Sequence, residues 1–269
     1  MQREHRIAPR QGICIRRLSF SAHKRFPAFA ISTRTTRARM TKKRLVLFDI
    51  DGTILTTNGI AKEYFIRAME RSFEYEGITR DHDFSGKLDT QIYRELIETT
   101  SINPSDALAR REHFFKAFYE DLKPQLTNDK IKVCPGIPQL VRTLHENPNC
   151  TIGLLTGNMP LGAELKLNAV GLWHYFPFGA FGSDGNLRPE LPAVALRKAG
   201  EVSGIEYSGA ETVIIGDTPN DITCGIEIGA KSLAVATGRY SYAQLESHNP
   251  DHLFESLENT EDVLEAIFS

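Results

Sequence analysis

The chain has 269 residues, enough for a full α/β core plus an accessory domain. Its composition is that of an ordinary globular protein, and no apolar run approaches the roughly 20 residues of a membrane span. Charge is uneven. Residues 1–39 hold nine Arg and one Lys against one Glu, whereas the other 230 hold 22 basic and 33 acidic side chains, which argues against nucleic-acid binding by the folded part.

The basic segment 1–39 has no sustained apolar periodicity and reads as disordered. Three readings stay open: an organellar transit peptide, a basic tail with its own partner, or a segment outside the working protein. In the last case Met40, directly ahead of the first strand, is the start. The four cysteines, Cys14, Cys134, Cys150 and Cys224, form no C-x-x-C pair. That speaks against a zinc site or disulfide framework and for a reducing compartment. A cytoplasmic protein is expected, or an organellar one if residues 1–39 are a transit peptide.

Leu45 to Phe48 is an apolar run that reads as a buried strand. It delivers Asp49 and Asp51, two residues apart and so on one face of an extended chain, before Gly52 and Thr53 turn it. Two carboxylates at a low-dielectric sheet end repel unless a cation or a shared proton relieves them. Either a Mg²⁺ site or an acid/nucleophile pair satisfies that condition; a solvated Asp-rich turn is the plain alternative. The stretch Asp49-Ile50-Asp51-Gly52-Thr53 resembles motif I of the haloacid dehalogenase (HAD) superfamily, hydrolases that form an aspartyl intermediate.

From Asn58 to about Lys132 helical periodicity takes over. The first helix carries Ile60, Tyr64, Phe65, Ala68, Met69 and Phe73 and stops near Gly77. The second spans Thr90 to Thr100. The third begins at Asn103-Pro104 and aligns Leu108, Phe115, Phe118 and Leu122. An insert of three helices after the first strand resembles a C1 α-helical cap. Between the first two helices, Phe84-Ser85-Gly86-Lys87-Leu88-Asp89 resembles the substrate loop of phosphoglycolate-phosphatase-like members. Lys87 either meets a substrate anion or is a solvated loop lysine.

Thr151 to Thr156 is the second core strand, ending in Thr156-Gly157-Asn158 ahead of a helix opened by Pro160. A hydroxyl at Thr156 and an unobstructed N–H at Gly157 suit a phosphoryl oxygen at a helix start, and the stretch resembles HAD motif II. Phe178 to Gly182 reads as a short strand, followed by Arg188 and a helix from Pro189 to about Ala199. The superfamily usually has a lysine here. Arg188 can do its work through a planar fork, whereas Lys198 lies about 15 Å further along the helix. Thr212 to Gly216 is a β-branched strand ending in Asp217, with Asp221 four residues on, a match to motif IV, G-D-x-x-x-D. Lys231 to Ala236 gives the fifth strand, and a helix from Thr260 to Ile267 closes the domain. His113, His145, His174, His248 and His252 show no ligand spacing.

Alternating strands and helices predict a doubly wound parallel sheet, with ligands outside the carboxyl ends of the strands, where Asp49, Thr156 and Asp217 fall. The expected division is a HAD-like α/β core over residues 40–57 and 133–269, with the cap over 58–132.

The resemblance implies a phosphomonoesterase of a small phosphorylated metabolite, phosphoglycolate-like as a first guess. Mg²⁺ takes oxygens from Asp49, the Asp51 carbonyl and Asp217, with Asp221 helping directly or through water. Asp49 attacks phosphorus and Asp51 serves as general acid and then base. Gly52, Thr53, Thr156, Gly157, Asn158 and Arg188 surround the phosphoryl group, and Gly86 and Lys87 reach it from the cap. Dehalogenases of the superfamily lack the second Asp, so Asp51 favours phosphate esters. A hexose-phosphate mutase, or a non-catalytic binding protein on the same scaffold, is the alternative.

Overall fold

The computed structural model describes residues 42–127 and 129–269. The expectations about residues 1–39 and Met40 lie outside the described residues.

The core is a six-stranded parallel sheet in the order β5-β4-β1-β6-β7-β8: β1 Arg44–Phe48, β4 Cys150–Leu155, β5 Gly179–Ala180, β6 Thr212–Gly216, β7 Lys231–Val235 and β8 His252–Phe254. All five residues of β1 are buried, as the continuous apolar run requires of a central strand covered on both faces. It begins at Arg44, one residue earlier than the apolar run, because the buried guanidinium donates to the carbonyls of Ile267 (2.8 Å) and Ser269 (2.7 Å). The chain moves from β1 outward to β4 and β5, then returns to place β6 on the other side of β1. The strand order therefore reverses between β1 and β6, which is where doubly wound sheets bind ligands. β8 was not expected as a strand; three half-buried residues are too short for a periodicity signal.

The cap holds α1 Ile60–Phe73, α2 Asp89–Glu98 and α3 Pro104–Leu122. α1 ends four residues before Gly77, on Glu74, which itself adopts the left-handed conformation at φ 50°. α3 starts as predicted, with the Asn103 side chain accepting from Ser105 N at 2.8 Å and Pro104 in the first turn. Ala107, Phe114, Phe115, Phe118, Tyr119 and Leu122 are its buried residues. Leu108, expected on that face, is 67% exposed and lines an open groove with Ile97, Phe115 and Leu161.

The cap has a hydrophobic centre of its own. The Phe65 ring meets Phe114 at 4.9 Å and Phe118 at 5.1 Å, edge to face, and this cluster is distinct from the one beneath the sheet. Two short strands, β2 Leu55–Thr56 and β3 Lys132–Val133, pair antiparallel where the chain leaves and re-enters the core. Cys134 N donates to Ile54 O at 2.9 Å and Asn58 Nδ2 to Lys130 O at 3.0 Å, so the two crossings are tied side by side. The remaining core helices are α4 Ile137–His145, α5 Pro160–Ala169, α6 Leu191–Ser203, α7 Pro219–Cys224, α8 Tyr242–Glu246 and α9 Thr260–Phe268.

Because the cap has a separate centre, Phe114→Ala is expected to cost about 3–5 kcal/mol by leaving a cavity there. Amide exchange should rise across residues 60–122 more than in the sheet. Equal acceleration in both would mean that cap and core open as one unit.

Candidate active site

The carboxyl ends of β1 and β6 bring the acidic residues together. Asp49 follows β1 directly, and its N–H donates to Ile215 O of β6 at 2.9 Å. Asp217 follows β6. Asp221 sits in the first turn of α7, where it closes a capping box: Thr218 N and Oγ1 donate to its Oδ2 at 3.0 and 2.6 Å. All three acids are buried, and oxygens of Asp49, Asp217 and Asp221 lie within 4.8 Å of one another.

Arg188 stands against this cluster. Its Nη2 contacts Asp49 Oδ1 at 3.2 Å, donates to Leu155 O at 3.2 Å and is hydrogen-bonded to Asp221 Oδ1. The guanidinium is buried, held in the turn Arg188–Glu190 that precedes α6. This is the position the sequence assigns to the phosphoryl-holding cation. The competitor Lys198 points elsewhere, to Asp184 Oδ2 (2.8 Å) and Gly179 O (2.9 Å).

Burial pushes the Asp49 carboxyl up to about 7, against the pull of Arg188 and with added repulsion from Asp221 and Asp51. Asp217 is raised well above the carboxylate range by burial and then by Asp221 and Asp49. Burial alone would lower Arg188, but Asp221 and Asp49 outweigh it and hold the guanidinium protonated. One buried cation facing three buried acids leaves negative charge in excess. Every donor is a hard oxygen, so the site fits a Mg²⁺-type ion. Asp49 and Asp217 could hold it directly, with the Asp51 carbonyl. Asp221 Oδ2 accepts twice from Thr218, but its Oδ1 accepts only from Arg188, so Asp221 could help hold the ion as well as orient Arg188.

Asp51 is turned away from the cluster. Its carboxylate, 42% exposed, takes Lys166 Nζ at 2.8 and 2.6 Å and Asn158 Nδ2 at 2.7 Å. Gly52 makes the turn at φ 89°, and a Cβ there would lie 2.3 Å from Asp217 Oδ2. The Thr53 hydroxyl donates to Asp217 Oδ1 at 3.4 Å. Gly52 and Thr53 thus shape the acidic cluster. Thr156 is fully buried and its Oγ1 accepts from Asn158 Nδ2 at 2.9 Å.

The cap loop lies directly on this floor. Asp89 N donates to Gly157 O at 2.8 Å and Asn220 Nδ2 to Gly86 O at 3.1 Å. A Cβ on Gly157 would sit 1.9 Å from Lys87 O. Between cap and core is a cavity of 420 Å³ lined by Asp49, Asp51, Thr156, Arg188, Lys62, Phe65, Phe84 and Phe118, among others. Lys87 also lines it, but its Nζ is held by Glu95 Oε2 at 2.6 Å, an oxygen shared with His82. Lys87 is thus paired within the cap, neither a solvated loop lysine nor free for a substrate anion.

Four positions at the site went unread in the sequence: Lys166, Thr237, Gly238 and Asp89. Lys166, together with the expected Asn158, braces Asp51. Thr237 Oγ1 donates to Gly52 O at 2.6 Å, and a Cβ on Gly238 would fall 1.7 Å from Asp217 Oδ2. Asp89, half-buried, accepts from Met159 N (2.9 Å) and Tyr119 O–H (3.2 Å). Thr237-Gly238 could have been found from its place just past a core strand. A lysine between buried Ala163 and Leu167 was the available sign for Lys166.

A buried acidic cluster at the switch point of a doubly wound sheet, under a helical cap, defines a capped α/β hydrolase. The profile of the haloacid dehalogenase-like hydrolases matches residues 43–229, and the chain belongs to that family. A phosphoglycolate phosphatase of Vibrio vulnificus is 26% identical over 227 residues, 82% of this chain and 96% of the relative. Pyrophosphatase PpaX of Bacillus mycoides is 22% identical over 84% of this chain and 99% of its own length. A β-phosphoglucomutase structure from Clostridium difficile, 18% identical, superposes with a TM-score of 0.60 over 84% of this chain and 97% of that one. Among the described residues no helix is long and apolar enough to cross a membrane.

Two outcomes test the site. Mg²⁺ should raise the melting temperature of the unaltered protein through binding to the native state, and Asp217→Asn should abolish that rise while being the more stable protein in EDTA at pH 8. An unchanged Mg²⁺ response in the variant would remove Asp217 from the ion site. Burial also raises Asp89, to about 6. The native state therefore binds this proton more tightly than the unfolded chain, so the charged Asp89 costs stability above pH 6 and the cost fades as pH falls toward 4. Asp89→Asn should be more stable by about 1–3 kcal/mol at pH 8, with the difference closing by pH 4 in paired urea titrations.

Proposed function

We propose that the chain is a Mg²⁺-dependent phosphomonoesterase acting on a small phosphorylated metabolite through an aspartyl-phosphate intermediate. The observation that carries the reading is the division of labour between the two motif I acids. Asp49 is buried in the acidic cluster, while Asp51, two residues on, faces the cavity at 42% exposure. An attack on carbon that expels halide has no oxygen to protonate; an ester does.

In this reading a carboxylate oxygen of Asp49 attacks phosphorus and the bond to the ester oxygen breaks. Asp51 gives that oxygen a proton and then takes one from the water that cleaves the Asp49–phosphoryl bond, so inorganic phosphate leaves and both acids are restored. Thr156, the Gly157 N–H and Arg188 hold the phosphoryl oxygens. An ion held by Asp49, Asp217 and Asp221 would supply charge neutralisation to a phosphate that otherwise repels the Asp49 carboxylate. The cap loop, bonded to Gly157 and Asn220, covers part of the site.

The substrate's other end meets the cap. The ammonium of Lys87 is committed to Glu95, so a substrate anion would have to compete for it. Lys62 is a further lining cation, its Nζ bonded to His82 O at 2.6 Å and 5.2 Å from the Phe84 ring centre. Phe65, Phe84, Ile92 and Phe118 give the same wall an apolar character. These features favour a compact phosphomonoester with an apolar carbon portion. Phosphoglycolate fits that class in size, and its carboxylate would face the same competition for Lys87.

Phosphate release from a panel of small phosphomonoesters should require Mg²⁺, stop with EDTA and fall to background in Asp49→Asn. Transfer of the phosphoryl group between sugar hydroxyls without phosphate release would instead make the chain a mutase. No reaction by folded protein that binds Mg²⁺ would point to a non-catalytic role.

A further inference from the structure

A lysine ammonium is rarely taken out of water, yet Lys166 is 4% exposed and sits on α5 between Ala163 and Leu167, both fully buried. Packing alone would be served by methionine, which fills the same space without the cost of burying charge. What the charge does is visible in its contacts. The three hydrogens of Nζ have three acceptors: Asp51 Oδ1 at 2.8 Å, Asp51 Oδ2 at 2.6 Å and Asn158 Oδ1 at 2.6 Å. Asn158 Nδ2 returns to Asp51 Oδ2 at 2.7 Å and closes a triangle.

The site therefore contains two buried cations, each committed to a different motif I acid. Arg188 contacts Asp49 and Asp221, and Lys166 contacts Asp51. Asp49 and Asp51 are only two residues apart, just past the end of β1. A carboxylate at position 51 with no partner of its own would be drawn toward Arg188 or toward an ion among Asp49 and Asp217, because each is a concentrated positive charge in a low-dielectric pocket. Lys166 supplies a competing charge on the opposite side. Asn158 adds direction, since its amide can bond both members at once.

We propose that Lys166, assisted by Asn158, is the positioning residue for Asp51. It holds the carboxyl in the cavity, aimed where the leaving oxygen sits, and keeps it out of the acidic cluster. The proposal rests on the phosphatase reading above. Within that reading it makes a prediction that a purely structural lysine would not. A misplaced Asp51 harms proton delivery to the leaving group and leaves the attack by Asp49 intact.

The test compares phenyl phosphate with p-nitrophenyl phosphate in unaltered protein and in Lys166→Met, with Asn158→Ala alongside. The two esters share a shape, but nitrophenolate departs without needing a proton and phenolate departs poorly without one. The quantity is kcat/KM, which covers steps through phosphoryl transfer to Asp49 and not the later hydrolysis. In Lys166→Met, kcat/KM for phenyl phosphate should fall ~100-fold, the scale of lost general-acid catalysis, and for p-nitrophenyl phosphate by less than ~10-fold. Asn158→Ala should show the same bias, more weakly. The ratio between esters in one sample does not depend on how much of the variant is folded. Equal losses on both esters, including loss of both below detection, would overturn the role of Lys166 and leave the phosphatase reading standing. Absence of turnover by the unaltered protein on either ester, and on the wider panel, would overturn both.

Discussion

Negative charge crowded at one end of a parallel sheet is the constraint around which this molecule is built. Three buried carboxylates converge within 4.8 Å at the β1/β6 crevice, and a fourth follows two residues along the chain. Such a cluster is unstable alone in a medium that screens poorly, and its surroundings answer that instability in detail. Arg188 is buried against it. Gly52 and Gly238 let backbone approach Asp217 more closely than any side chain would allow. The site is still short of positive charge, and its oxygen donors suit a hard cation.

The cap contributes contact as well as cover. Its loop from Gly86 to Thr90 bonds Gly157, Asn220 and Gly182 on the core. Cap residues therefore touch the same loop that would hold the phosphoryl oxygens, and displacement of the cap disturbs catalytic geometry and substrate fit together. Asp89 stands at the junction, bonded to Tyr119 of the cap and to the start of α5 in the core.

Much of this was legible in the sequence because the decisive signals are local. Leu45 to Asp51 and Thr212 to Asp221 each join a buried strand to its acids within ten residues, and β topology then requires the ends to meet. The position of Arg188 followed from its place ahead of a helix. What stayed hidden depends on contacts between distant residues. Lys166 meets Asp51 across 115 positions and Thr237 meets Gly52 across 185, and no period or spacing encodes either. Lys87 looked like a free cation because Glu95, eight residues on, is a neighbour only once α2 has formed. The strands β2, β3 and β8 are two or three residues long and leave no alternation to read. Leu108 misled because a helical face extends as far as the period does, while the layer packed against it need not.

The small ribbon of β2 and β3 has a consequence for how such a protein can change. Departure and return of the chain are paired at Leu55 with Val133 and at Thr56 with Lys132, so the covalent entry and exit of the cap lie side by side. Everything between them is topologically a single long loop grafted on a hairpin stem. Lengthening, shortening or exchanging that loop leaves the strand order and the register of the sheet untouched. That segment can therefore be exchanged without altering the sheet, provided that the replacement again bonds Gly157, Gly182 and Asn220 on the core.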